Sequence, residues 1–168
     1  EKLGGKPVIC APGHSVIKSL MAESGAPLAG EMSGHVFFAD GYYGYDDALY
    51  ASIRLLDIVA ASDSSLAEML SDLPQMVKTP EVRIEVSEAR KFAVVDEVLA
   101  QAKADNLSIN EVDGLRVNGP DGWWLLRASN TEAALVVRCE SDNEDGLDRL
   151  KAAVSGYLSR AGVTTAPF

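Results

Sequence analysis

The sequence predicts two folds in series, an α/β unit followed by an α+β unit, on three observations. Short apolar runs alternate with helical patterns around glycine-rich loops up to Leu73. Pro74 and Pro80 then bracket a break in the pattern. After Pro80 the apolar residues switch to period-2 alternation divided by two amphipathic helices. A border is expected across Leu73-Pro74 to Thr79-Pro80, where proline disfavours regular structure. This gives domains at 1–73 and 79–168.

In the first unit, the apolar run Lys6 to Cys10 reads as a strand and His14 to Ser24 as a helix stopped by Gly25. Ala26 to Ala29 and Gly34 to Phe38 read as short strands, and Gly41 to Tyr45 as an aromatic loop. Asp46 to Ala60 carries Ala48, Leu49, Ser52, Ile53, Leu56 and Val59 on one helical side, with Asp46 and Asp47 placed to cap it. A short helix follows at Ser64 to Ser71. In the second unit, Val82, Ile84 and Val86 alternate with Arg83 and Glu85 as a half-buried strand. Glu88 to Ala104 is an amphipathic helix through Phe92, Val95, Val98 and Leu99. Ser108 to Glu111, Leu115 to Asn118, Trp123 to Arg127 and Leu135 to Cys139 follow with turns at Asp113-Gly114 and Gly119 to Gly122. Asp145 to Ser159 closes as a helix. The order β-α-β-β-β-α predicts an antiparallel sheet with helices on one face.

Composition narrows the function classes. The chain has 168 residues, 47% of them hydrophobic, and a net charge of -10. That charge, with no basic patch, argues against nucleic acid and anionic membranes as partners. No apolar run reaches the roughly 18 residues of a membrane span. The start Glu1-Lys2-Leu3-Gly4-Gly5 has neither an initiator Met nor an apolar segment behind a basic one, which predicts an excised fragment without a secretion signal. Cys10 and Cys139 lie far apart and read as free buried thiols, which fits a reducing cytoplasm. The two histidines stand at no metal-ligand spacing, so no metal site is expected in this chain.

Two loops concentrate chemistry. Gly30-Glu31-Met32-Ser33-Gly34-His35 offers a carboxylate able to accept from two adjacent sugar hydroxyls, a hydroxyl donor, and an imidazole able to charge near neutrality. The plain alternative is a turn whose Glu31 and His35 are solvated or paired together. Arg127-Ala128-Ser129-Asn130-Thr131 gathers a guanidinium, two hydroxyls and an amide between strands, the inventory of a phosphate cradle or of an ordinary polar hairpin turn. His14 opens a helix with Lys18 one turn on, and either faces a cleft or is solvated. Tyr42, Tyr43 and Tyr45 read as packing over the following helix rather than as a carbohydrate platform.

Together GEMSGH at Gly30 to His35 with YDDA at Tyr45 to Ala48, RASNT at Arg127 to Thr131 with Arg138-Cys139-Glu140, GHS at Gly13 to Ser15 and TPE at Thr79 to Glu81 resemble the α-D-phosphohexomutase family over nearly the whole chain. The resemblance implies the end of a mixed-sheet third domain, followed by a fourth domain of TATA-box-binding-protein-like shape. It implies interconversion of hexose 1-phosphate and hexose 6-phosphate through hexose 1,6-bisphosphate, from a phosphoserine and Mg2+ site on earlier domains of the same protein. Neither a TxSHNP-like serine nor a DGDxDR-like loop occurs here, so this chain alone is expected to be inactive. Within the resemblance, Glu31, Met32, Ser33, Gly34, His35 and His14 line the sugar site and Arg127, Ala128, Ser129, Asn130 and Thr131 hold the non-reacting phosphate. His35 is either an acid/base or a phosphate contact. Met32 and the RASNT form lean toward glucose and mannose phosphates; a phosphoglucosamine mutase fragment and a non-catalytic sugar-phosphate binding module are the alternatives.

Overall fold

The computed structural model describes residues 4–164 and Phe168. The chain forms two compact units, Glu1–Leu73 and Pro74–Phe168.

The first unit runs α1 (His14–Ser24), β1 (Leu28–Gly30), β2 (Val36–Phe38), β3 (Tyr45–Asp46), α2 (Ala48–Ala60) and α3 (Leu66–Met69). The three strands form an antiparallel sheet in sequence order, with Ala29 opposite Phe37 and Phe37 opposite Asp46. Gly25 ends α1 in the left-handed region, at φ 68°, which glycine alone adopts without strain. The core is small: Ile17, Met21 and Phe37, with Cys10, Ala26 and Ala29 packed against it. Asp47 caps α2 by accepting the Tyr50 N–H, so the helix begins two residues later than the sequence predicts and Asp46 belongs to β3. The expected strand at Lys6–Cys10 is irregular chain. A β segment is stable only when its backbone groups pair, and among the described residues no strand pairs with this one.

The second unit adds β4 (Val77–Lys78), β5 (Val82–Glu85), α4 (Lys91–Ala104), β6 (Ser108–Asn110), β7 (Leu115–Gly119), β8 (Gly122–Ala128), β9 (Ala134–Ser141) and α5 (Glu144–Arg160). Four strands, one more than the predicted order counts, lie between its helices, because Ser108–Asn110 pairs with β7. The sheet order is β4-β9-β8-β7-β6, all antiparallel, with β5 also on β9.

The segment around Pro80 is not free of regular structure as the prolines led us to expect. Val77 and Lys78 pair with Ser141 and Glu140, and Thr79 continues with its N–H donating to the Cys139 carbonyl and its Oγ1 accepting the Cys139 N–H. Val82 then pairs with Val137, so the register has slipped by one residue across Pro80 and Glu81. The slip is a bulge, one of the places in a sheet where a residue without an N–H fits at little cost.

One core joins the sheet to both helices. Ile84, Leu115, Val117, Trp124, Leu126, Leu135, Val137 and Cys139 alternate toward Val94, Val98 and Ala102 of α4 and Leu147, Leu150, Val154 and Leu158 of α5. Gly122, at φ 121°, turns the β7–β8 hairpin so close to β9 that a Cβ there would stand 2.1 Å from the Glu140 carbonyl oxygen.

Candidate functional site

In the first unit the Glu31–His35 loop is closed by its own backbone. The Glu31 N–H donates to the His35 carbonyl at 2.9 Å, and the Gly34 N–H to the Glu31 carbonyl at 3.0 Å. Gly34 takes φ 93°, a conformation open to glycine and strained for other residues. The turn faces the start of α1: Glu31 Oε1 accepts the Gly13 N–H at 2.9 Å, and Oε2 accepts the Ser33 hydroxyl at 2.9 Å. Those two bonds, the Gly13 N–H first, hold the Glu31 carboxyl below its ordinary range, so it remains an acceptor-only carboxylate with a lone pair left on each oxygen. Ser33 donates its one hydroxyl hydrogen bond to Glu31 and so offers lone pairs, where the sequence reading made it a donor.

His35 is not paired with Glu31. Its Nδ1 lies 2.7 Å from Asp46 Oδ2 on the neighbouring strand β3. An ionised carboxylate accepts only, so Nδ1 carries a proton and Nε2 is the atom left for chemistry: a base when neutral, a donor when the ring is charged. His14, the first residue of α1, comes to the same loop because Gly13 is bound by Glu31; its Nδ1 is 3.5 Å from Ser15 Oγ. Met32 is 77% exposed at the tip. Tyr42 stacks on Tyr50 of α2 at 3.8 Å and donates its hydroxyl to Asp47 at 2.6 Å, the packing role read from the sequence, whereas Tyr43 and Tyr45 stack on each other and stand exposed. The structure thus brings Glu31, Ser33, His35 and His14 together in one unit, and adds Asp46 and the Gly13 N–H, which sequence reasoning missed. The Asp46-Asp47 doublet is the available signal for Asp46, as a helix cap and within the YDDA motif, but neither reading joins it to His35.

In the second unit the loop between β8 and β9 carries Arg127 to Thr131. The Ser129 N–H donates to the Ala134 carbonyl at 2.9 Å, and Ser129 Oγ accepts the Glu132 N–H at 3.2 Å, so Ser129, 3% exposed, is built into the loop's frame. Asn130 and Thr131 are exposed, and neither their side chains nor their N–H groups have a partner among the described residues. Ala128 is half-buried. Arg127 lies 3.9 Å from Asp113, against the Gly114 turn. Beneath the loop sits the buried Lys91, whose Nζ donates to the carbonyls of Ser129 at 2.7 Å and Glu132 at 3.2 Å and pairs with Glu88 at 2.7 Å. Nothing in the sequence marked Lys91, a cation at the start of a helix where a solvated residue is the ordinary expectation.

Among the described residues no group of three or more His, Cys, Asp or Glu side chains converges as a metal site requires. Among the same residues no helix is long and apolar enough to cross a membrane.

Residues 1–77 match the family signature described as phosphoglucomutase/phosphomannomutase, alpha/beta/alpha domain III, and residues 81–156 match the one described as phosphoglucomutase/phosphomannomutase, C-terminal domain. A phosphomannomutase/phosphoglucomutase of Pseudomonas aeruginosa is 44% identical over 155 residues, 92% of this chain and 34% of that protein. A phosphoglucomutase of Neisseria meningitidis serogroup B is 48% identical over 150 residues, 88% of this chain and 32% of that protein. The crystal structure of a phosphoglucomutase/phosphomannomutase family protein from Burkholderia thailandensis superposes with a TM-score of 0.88 at 41% identity, over 99% of this chain and 35% of that one. The chain therefore spans about a third of the length of these relatives. With two successive domain signatures met along it and the same backbone in a solved relative, the chain belongs to the phosphoglucomutase/phosphomannomutase family.

Proposed function

We propose that this chain is the sugar- and phosphate-binding portion of a cytoplasmic phosphohexomutase, an isomerase of carbohydrate metabolism that interconverts the 1- and 6-phosphates of glucose and mannose through hexose 1,6-bisphosphate. In this reading residues 1–73 belong to the sugar-binding domain and 79–168 form the phosphate-binding domain. The observation that carries it is the Glu31 carboxylate, fixed by Gly13 and Ser33 with a lone pair left on each oxygen. That is the acceptor pair that two neighbouring ring hydroxyls require.

The residues then divide the work. Glu31 and Ser33 accept from the O3 and O4 hydroxyls, which glucose and mannose present alike, so the difference at C2 goes unread. His35, its Nδ1–H held by Asp46, presents Nε2 to take a proton from the hydroxyl that gains a phosphoryl group and to return it in the reverse step. Met32 and His14 border this loop. Arg127 supplies a fork of donors to the phosphate that is not reacting, with the free N–H groups and side chains of Asn130 and Thr131 beside it. Mg2+ would neutralise charge on the transferring phosphoryl group, but the described residues hold no donor set for it. The phosphoserine and the metal belong to further domains of the same protein in this reading, consistent with relatives about three times as long.

Calorimetry of the chain with glucose 6-phosphate, mannose 6-phosphate and glucosamine 6-phosphate tests the proposal. The first two are expected to bind weakly and to lose binding in Arg127→Ala and Glu31→Gln. Binding indifferent to both substitutions would overturn it, and preference for the amino sugar would move the reading to a phosphoglucosamine mutase.

A further inference from the structure

Lys91 is a buried ammonium outside every motif considered so far. Its three N–H donors have three acceptors: the Ser129 carbonyl at 2.7 Å, the Glu132 carbonyl at 3.2 Å and the Glu88 carboxylate at 2.7 Å. Two of the three are main-chain oxygens at either end of the Asn130–Thr131 tip, accepting from an α4 residue only 2% exposed.

A trans peptide is planar, with its C=O and N–H pointing in opposite directions. Binding the Ser129 oxygen to Lys91 therefore turns the N–H of Asn130 away from Lys91, and binding the Glu132 oxygen does the same for the N–H of Ala133. Neither N–H has an acceptor among the described residues. The ammonium thus sets the sign of the loop's peptide dipoles, with carbonyls inward and N–H groups outward. With those peptides reversed, carbonyl oxygens would face an incoming anion and repel it. The Glu132 carboxylate, the loop's own anion, is meanwhile held by Arg83 at 2.7 Å.

We propose that Lys91 is a positioning residue for phosphate binding, fixing the Ser129–Ala133 loop so that the N–H groups of Asn130 and Ala133 face the phosphate of a sugar phosphate. This rests on the reading of the Arg127–Thr131 loop as a phosphate site.

The test is an amide proton–nitrogen NMR titration of the 168-residue chain with glucose 6-phosphate and, separately, inorganic phosphate. In the unsubstituted chain the Asn130 and Ala133 amide protons are expected to move downfield. Lys91→Met keeps the aliphatic stem and is expected to weaken phosphate binding about tenfold or more, the loss of charge-oriented hydrogen bonds, with β8 and β9 amides unchanged. Glu88→Gln spares both carbonyl bonds and is expected to leave affinity within about twofold. Phosphate affinity unchanged in Lys91→Met, or a response at Arg127 and Thr131 without Asn130 and Ala133, overturns the proposal and leaves the phosphate site standing. A response that survives Arg127→Ala overturns the phosphate-site reading instead. If Lys91→Met does not fold, the shifts of Asn130 and Ala133 in the unsubstituted chain decide.

Discussion

The two units build their functional loops by opposite means. In Glu1–Leu73 the core is Ile17, Met21 and Phe37, helix α2 has no buried residue, and Leu49, Ile53 and Leu56 stand at least half exposed. The Glu31–His35 loop is held by short polar links instead: Gly13 to Glu31, Ser33 to Glu31 and His35 to Asp46. In Pro74–Phe168 a continuous core of sheet and two helices carries the Arg127–Thr131 loop, and a buried lysine fastens it from below. In the reading proposed above, a loop pinned by exposed hydrogen bonds would adjust to a sugar presented in either orientation, and one anchored in a core would hold the same phosphate geometry each time.

The largest expected effect comes from separating them. Residues 74–168 alone should unfold in a cooperative thermal transition, and residues 1–73 alone should show none, because the first unit buries too little apolar surface to offset chain entropy. Circular dichroism checks this; equal cooperativity in the two pieces would break the contrast. In the intact chain, thiol labelling gives a second readout. Burial pushes the Cys139 thiol up to about 12 and leaves it without solvent access, so it should react only as the second unit unfolds, long after the half-buried Cys10.

Next in size is core truncation. Leu126→Ala should destabilise the second unit by about 2–5 kcal/mol, while Leu49→Ala, at a site 75% exposed, should cost less than about 0.5 kcal/mol; denaturant midpoints measure both. Gly122→Ala should cost more than about 2 kcal/mol, from a backbone outside the L-residue region and a Cβ driven into β9. Gly34→Ala meets no atom within 4 Å and carries the backbone strain alone.

The smallest effect separates the two helix caps by pH. Asp47 caps α2 and is held below its ordinary range by the Tyr42 hydroxyl first and the Tyr50 N–H second. A depressed carboxyl stabilises the fold above its ordinary value of 3.8, and that contribution fades as pH falls below it toward the folded value. Asn143, which caps α5 through the Gly146 N–H, does not titrate. Acid titration followed by residue-resolved NMR should therefore loosen the start of α2 before that of α5. Simultaneous loss would show that the caps do not set the order.

What could be read in advance follows the same division. The helices α4 and α5 and the strands β7 to β9 are legible because each places apolar side chains on one face of a shared core, which leaves a period in the sequence. The pairing of β4 is not legible, because it depends on Ser141 and Glu140, more than half the unit away, and on a bulge that makes room for Pro80. The proposed site loops are legible only as inventories, Glu31, Ser33 and His35 in one and Arg127 in the other, because each gathers polar groups between apolar strands. Their partners are not: Asp46 reaches His35 only because β2 and β3 pair, and Lys91 reaches Ser129 only because α4 crosses beneath the loop.

The bulge at Pro80 also bears on how molecules of this protein meet one another. One edge of the larger sheet is β4 and β5, interrupted by a residue with no N–H and flanked by the charges of Arg83 and Glu85; the other is the three-residue β6. Neither offers a long, flat row of free backbone groups on which a strand from a neighbouring molecule could register. The sheet's growth is stopped at both margins, which guards a concentrated solution against main-chain stacking and leaves β8 and β9, its longest strands, enclosed in the middle.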